Sequence, residues 1–377
     1  MPDNIENVLV LQGGGSLGAF GCGVFKALAK NNTKIDIIAG TSIGGVNASI
    51  IAGSKDRHPE EALEQFWLEL AETSINSDSP FSAWLAGEHF SGTPGNQSML
   101  SFYHSAVSGN SKMFVPRWKP EYISKDPLYF EPAKWTYLYD HSQLAKTLEK
   151  YVDYDKLRPG GNPNARLIIS AVNVLTAEPL TFDSMRQQVT PKHILATSGY
   201  PLYYLPWVEI EKGVYAWDGS LLSNTPLREV IDAAPVTDKR VFLVENYPKK
   251  IERLPESLPE VIHRARDIVF SDKTMHNVQM SKVITYYLRF IDHLYRIVEN
   301  HADLSKIDKS ELASIRNKYK KISEEHGAEI KSIFYISRDE PTPHLYENAD
   351  FSVDTIKNSI REGEEKTIQV IRDMKSL

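Results

Sequence analysis

The run from Asn7 to Gly53 constrains this chain more than any other, because two short apolar stretches in it each end in glycines and lead into a helix. Val8 to Leu11 is continuous and apolar, as expected of a strand buried on both faces of a parallel sheet. It opens into QGGGSLG, and the segment beyond reads as a helix ending near Lys30. Ile35 to Ala39 supplies a second such strand, GTSIGG follows it at once, and VNASIIAG reads as a small-residue helix ending at Gly53. Strand, helix, strand in this order is a βαβ unit with a parallel pair. The expected fold is α/β, a three-layer α/β/α sandwich on a mainly parallel central sheet.

The first glycine turn admits two readings. Gly13, Gly15 and Gly18 satisfy G-x-G-x-x-G, the spacing that cradles a dinucleotide pyrophosphate at a helix N-terminus. The same turn can aim the N–H groups of Gly13, Gly14 and Gly15 at a tetrahedral oxyanion. A dinucleotide would need an acidic residue where the second strand ends, and the nearest, Asp36, stands near its beginning. The strand ends instead in Gly40-Thr41-Ser42-Ile43-Gly44, a G-x-S-x-G nucleophile elbow in its strand-to-helix setting. Gly40 and Gly44 remove the side chains that would collide there, and Ser42 is presented at the strand's C-terminal edge.

A serine nucleophile needs a base. In YAWDGSLLSNTPL, Asp218 closes a late apolar strand and Gly219 permits a tight turn, which makes Asp218 the candidate. The histidines offer nothing comparable: His193 starts a helix, and His141, His263, His276 and His293 sit in helical or polar surroundings. The expectation is a Ser–Asp dyad without a histidine. No cluster with metal-ligand spacing is expected, and no cofactor.

A chain of 377 residues, 41% hydrophobic and 24% charged, can bury a substantial core. Its net charge of −6 offers no electrostatic basis for nucleic-acid binding. The single cysteine, Cys22, excludes an internal disulfide and reads as a small packing residue. The polar start MPDNIEN lacks the pattern of a signal peptide, and no run approaches a membrane span, so a cytoplasmic protein with at most peripheral membrane contact is expected. Residues 76–140 are rich in aromatics, among them Trp84, Phe90, Phe102, Tyr103, Trp118, Tyr129, Phe130 and Trp135, and form a candidate insertion or lid.

Further along, a helix is expected near Gln143–Val152, strands at Arg166–Val172 and Arg240–Val244, a helix at Lys192–Thr197 and a hairpin over 208–218 turning at Lys212-Gly213. After about Lys250 the composition changes. Val283, Ile284, Tyr287, Leu288, Ile291, Leu294, Tyr295 and Val298 recur at helical spacing, Ile333–Ile336 suits a strand, and Ser352 caps a last amphipathic helix. This divides the chain into 1–250 and a mostly helical 251–377.

QGGGSLG, GTSIG and DGS in this order resemble the patatin-like phospholipase family over roughly residues 6–250, and ATSGYPLYYLP and SNTPL add to the likeness. The resemblance implies a serine acyl hydrolase acting on fatty-acyl esters of lipids, with Ser42 as nucleophile, Asp218 as base and the loop of Gly13, Gly14, Gly15 and Gly18 as oxyanion hole. Gly40, Thr41, Ile43 and Gly44 make up the nucleophile elbow, and Gly219 is a supporting position. Two residues depart from the family's pattern: Leu17, where many members carry Arg or Lys, and Ser220, where many carry Gly or Ala. Acyl transfer and thioester cleavage need the same dyad and stay open, as do a non-catalytic lipid- or partner-binding module and a homo-oligomer.

Overall fold

The computed structural model describes residues 5–73, 101, 104–231, 233, 237–302, 307–326, 330–339 and 347–376. The chain opens with β1 (Glu6–Leu11), α1 (Gly18–Lys30), β2 (Ile37–Gly40), α2 (Ile43–Gly53) and α3 (Pro59–Thr73). A short antiparallel pair, β3 (Val115–Pro116) and β4 (Tyr139–Asp140), precedes α4 (Ser142–Leu148). Then come β5 (Arg166–Asn173), β6 (Pro179–Asp183), α5 (Pro191–Ser198), β7 (Val208–Glu211), β8 (Val214–Asp218), α6 (Leu227–Ile231) and β9 (Lys239–Glu245). The last part holds α7 (Leu258–His301), α8 (Lys309–His326), β10 (Ile330–Ser337) and α9 (Val353–Ser376).

The main sheet runs β10-β9-β1-β2-β5-β8-β7, with β6 beside β5. The pairs β10/β9, β9/β1, β1/β2 and β2/β5 are parallel, and those made by β6, β7 and β8 are antiparallel. Leu11 pairs with Gly40, so the two glycine turns leave neighbouring strands at the same edge. Asp36 sits at the opposite edge, accepting from the Asn7 N–H at 3.0 Å and pairing with Lys34 at 2.7 Å. It cannot serve a ligand at the glycine turn, which removes the acid that the dinucleotide reading needs.

Strand alternation divides the interior between the two faces of the sheet. Leu9, Leu11, Ile38, Leu167 and Ile169 face α1, α2 and α3, whose Phe20, Phe66 and Trp67 are fully buried. Burying each such aromatic side chain contributes about 1.5–3 kcal/mol. Val8, Val10, Ile37, Ile168, Val241 and Leu243 face the other way, against Leu227 and Val230 of α6. The α/β sandwich expected from the sequence, with a mostly parallel sheet, is the observed fold.

The C-terminal segment is mostly helical, as expected, but part of it returns to the sheet. β10 pairs in parallel with β9, and Ile356, Ile360 and Ile371 of α9 join the core around α1. Glu364 of α9 is bonded by Lys26 and Lys30 of α1, at 2.8 and 2.6 Å. The boundary expected at residue 250 therefore falls between two neighbouring strands of one sheet.

Several elements differ from expectation. The helix foreseen near Gln143–Val152 ends at Leu148, because Tyr151 turns to donate to Glu69 at 2.7 Å and Val152 bridges to Ser54. α3, β6 and α6 were not foreseen. Of the aromatic stretch, Trp84, Phe90, Phe102 and Tyr103 lie outside the described residues. Trp118, Tyr129 and Trp135 belong to irregular structure around Arg117, whose guanidinium lies 4.9 Å from the Trp135 ring centroid.

Candidate active site

The turn between β2 and α2 is as short as a strand-to-helix turn can be, two residues, and its backbone shows the consequence. Ser42 stands before the first helical residue at φ 57° and ψ −131°, a region that side chains other than glycine rarely enter. A Cβ on Gly40 would lie 2.2 Å from the Gly44 carbonyl, and one on Gly44 would lie 2.2 Å from the Leu11 carbonyl. Both positions must be glycine for the turn to close. The Ser42 N–H donates to Thr197 Oγ1 at 3.1 Å, and the Thr197 hydroxyl donates to the Ser170 carbonyl at 2.6 Å. Thr41, fully buried, shares a 2.6 Å hydroxyl contact with Ser170.

The turn after β1 is wider and lies directly against this serine. A Cβ on Gly13 would come within 2.9 Å of Ser42 Cβ. Gly14 and Gly15 have φ of 153° and 61°, and the Asn348 carbonyl occupies the place of a Gly15 side chain, 2.2 Å from where its Cβ would be. Two of the four glycines use their N–H groups internally: Gly13 donates to the Asn224 carbonyl at 3.4 Å, and Gly18 to the carbonyls of Gly15 and Ser16. Among the described residues the N–H groups of Gly14 and Gly15 have no acceptor. Gly18 instead packs its bare Cα against Ile43.

Asp218 ends β8 and caps the short turn Gly219–Leu221. It is fully buried; Oδ1 accepts the Ser220 N–H at 2.8 Å, while Oδ2 has no hydrogen-bond partner. Burial raises its pKa to about 7, against the pull of Ser220 and of the nearby Ser42 hydroxyl. The Ser42 hydroxyl thus lies close enough to stabilise the carboxylate without a bond of ordinary geometry to Oδ2. Gly219 packs against Ser170, with a Cβ there 2.5 Å from Ser170 Oγ, and Ser220 Oγ donates to Asn224 Oδ1 at 2.8 Å.

These turns open on a cavity of about 270 Å³. Gly15, Ser42 and Ile43 form one side, Met113, Phe114 and Tyr139 another, and Tyr200, Leu202, Tyr204 and Phe351 much of the rest. Residues of the 76–140 stretch therefore line it. Most of the lining is apolar, as suits a ligand with a hydrocarbon body.

The other candidate residues take structural places. His193 caps its own helix through Thr190, and burial lowers its pKa to about 4. His141 bonds the Leu195 carbonyl at 2.9 Å, and burial lowers its pKa as well. Cys22 is buried in the core, and burial holds its thiol protonated. Leu17 packs on Tyr247 and Phe270, an apolar setting that explains the absence of a cation at this position.

One expectation needs correction. His263, Asp267 and Glu347 come together in a buried cluster, although no such group was foreseen from the sequence. Its carboxylates are already engaged: Arg266 reaches Asp267 at 3.0 Å and Glu347 at 2.8 Å, and Arg338 reaches Glu347 at 3.1 Å. Two guanidiniums supply the positive charge a metal ion would bring, and the cluster serves to pin 347–349 over the glycine turn. There Ser16 Oγ donates to the Glu347 carbonyl and Asn348 Nδ2 donates to Tyr247 at 2.9 Å.

Sequence reasoning missed the groups that hold the loops. Asn246 donates to the carbonyls of Gln12 and Gly13 at 3.0 and 3.1 Å. Thr197, at the end of α5, and Asn224, in the turn after Leu221, act likewise from afar. Thr197 lies in ATSGYPLYYLP, so a signal was present for it, and Asn224 lies in SNTPL. Nothing around Asn246 marked it.

A family model described as patatin-like phospholipase matches residues 9–231, more than half of the chain. No curated protein matches in sequence. Among solved structures, VipD from Legionella pneumophila is similar at 15% identity and a TM-score of 0.41, covering 99% of this chain and 67% of that one. ExoU from Pseudomonas aeruginosa, solved with SpcU, is similar at 14% identity and a TM-score of 0.28, over 85% of this chain and 60% of the matched one. A second structure of the ExoU–SpcU complex gives 16% identity and 0.32, over 85% and 58%. With the family's motif region matched from β1 to α6, this chain belongs to the patatin-like phospholipase family.

Proposed function

We propose that this protein hydrolyses fatty-acyl ester bonds of lipids, in the manner of a phospholipase A or lysophospholipase, through a Ser42–Asp218 dyad. Ser42 Oγ attacks the ester carbonyl carbon as Asp218 Oδ2 takes its proton. The N–H groups of Gly14 and Gly15 stabilise the oxyanion. Collapse of the intermediate expels the alcohol, protonated by Asp218, and leaves an acyl-Ser42 ester. Water then attacks that ester, again giving its proton to Asp218, and the fatty acid leaves while Ser42 regains its hydrogen.

The observation that carries this reading is the Asp218 carboxyl: fully buried beside Ser42, with Oδ2 unpartnered and a pKa of about 7. A carboxylate balanced near neutral pH can both accept and return a proton. The apolar cavity supports an acyl substrate. At its rim Leu202 and Tyr204 are largely exposed, which suits peripheral contact with a membrane or micelle.

The test is a panel of lysophospholipid, diacyl phospholipid, monoglyceride and acyl-CoA, assayed with wild type and Ser42→Ala side by side. Release of fatty acid by wild type, lost by at least about 10⁴-fold in the folded variant, is expected. Equal rates in the two proteins would overturn the assignment, and turnover of acyl-CoA alone would make the enzyme a thioesterase.

A further inference from the structure

The long helix α7 carries an apolar strip that plays no part in the site. Ile284, Ile291 and Val298 stand seven residues apart, as do Met280, Tyr287 and Leu294. The two sets alternate at spacings of four and three, the a and d positions of a heptad repeat. All six are between 37% and 58% exposed, whereas the core side chains of the sheet are close to zero. Val283, Phe290 and Ile297, at the g positions, are exposed as well and widen the strip.

The neighbouring helix does not cover it. α8 packs on the b and e side of α7, where Tyr319 stacks on Tyr295 with ring centroids 3.6 Å apart and donates to Asp292 at 2.6 Å. Arg316 grips Glu299 through two bonds of 2.8 and 2.9 Å. These contacts fix the pair of helices as a hairpin and leave the a/d/g strip facing outward.

We propose that this strip joins a second copy of the chain, the two α7 helices pairing in parallel and in register. Nine half-exposed apolar side chains run contiguously from Met280 to Val298, a larger apolar strip than ordinary monomers leave uncovered and long enough to seat the same strip of a second copy. β-branched Ile284, Ile291 and Val298 fill three successive a positions and Leu294 a d position, the pattern that favours two strands when a meets a and d meets d. Such pairing is self-complementary about a twofold axis. The apolar g row makes the seam broader than that of a bare two-stranded coil, as suits two α7–α8 hairpins packing together.

A lipid surface fits the strip less well. Lys282, Arg289 and Arg296 occupy the f positions, on the opposite side of the helix from the seam. A membrane that buried the seam would leave these cations pointing away from its headgroups, where they add nothing to binding.

The experiment measures the mass of the full chain by light scattering over a range of micromolar concentrations. It compares wild type, Ile291→Glu/Leu294→Glu and Leu294→Cys. Wild type should have twice the chain mass, and the double glutamate variant the chain mass with unchanged circular dichroism. Because Cys22 is buried, oxidation of Leu294→Cys should give a covalent dimer, and oxidation of Arg289→Cys should not. If the glutamate variant fails to fold, the cysteine pair decides alone. A wild type with the mass of one chain, a dimer that persists in the glutamate variant, or no cross-link at 294 would each overturn the proposal. A single-chain wild type that sediments with anionic vesicles, and loses this in the glutamate variant, would assign the strip to lipid instead.

Discussion

After β1 the chain takes six residues, Gln12 to Leu17, to reach its helix, and after β2 it takes two, Thr41 and Ser42. The wider turn spends its length on glycines at positive φ, which leave backbone N–H groups unbonded and no side chain in the way. The tighter turn has one non-glycine residue at the strained position, and that residue is a serine. Neighbouring parallel strands therefore end in complementary turns: one leaves backbone N–H groups free, and the other places a serine hydroxyl beside them. Neither turn holds itself. Asn246 and Asn224, from loops, and Thr197, from the end of α5, fix them from far along the chain.

Asp218 lies beside Ser42 of the tight turn, and its removal is expected to have the largest effect on this pairing. Asp218→Asn keeps the shape and loses the proposed base, so kcat on a p-nitrophenyl acyl ester should fall by about 10²–10⁴-fold with little change in KM. The same variant tests the origin of the raised pKa. A carboxyl at about 7 when folded and near 3.8 otherwise holds its proton in the native state across that window. The stability it contributes is complete at low pH and is lost as pH rises through 7. Asparagine does not titrate, so Tm of the variant relative to wild type should rise between pH 4 and pH 8.

The wide turn is tested by Gly15→Ala. Alanine is strained at φ 61° and meets the Asn348 carbonyl, so the loop must shift and displace a donor. The expected cost is about 10²–10³-fold in kcat. The tight turn is tested by Thr197→Val, which keeps the side-chain volume but deletes the acceptor of the Ser42 N–H, together with the donor to the Ser170 carbonyl behind it. Loss of the bond to Ser42, worth about 1 kcal/mol, should lower kcat by about fivefold. His193→Ala should lower Tm through its lost cap, by about 1 kcal/mol of stability, and leave kcat unchanged. Inactivity of that variant with its fold intact would point to a histidine in the mechanism.

The two turns and Asp218 were legible because each is a local pattern. Glycine spacing, an apolar strand before and a small-residue helix after are all written within a few residues. The same was true of the hairpin at Lys212-Gly213, where Gly213 takes φ 80°. The loop-holding residues were not legible, since Gln12 and Asn246 meet across more than two hundred residues and an Asn in a polar turn has no distinguishing neighbours. α9 was recognised as an amphipathic helix, but amphipathicity states only that one face is buried, not that α1 buries it. The same ambiguity concealed the buried cluster: His263 and Asp267 are four residues apart on α7, while Glu347 and Arg338 arrive from beyond β10.

The most direct measurement of the central claim is the rate at which a fluorophosphonate probe labels the protein as a function of pH, with the adduct located by peptide mass. The account predicts a single adduct on Ser42, forming at a rate that rises through a pKa of about 7, and slow labelling without that rise in Asp218→Asn. An adduct elsewhere, or a rate on Ser42 that is flat with pH and equal in the two proteins, would contradict it.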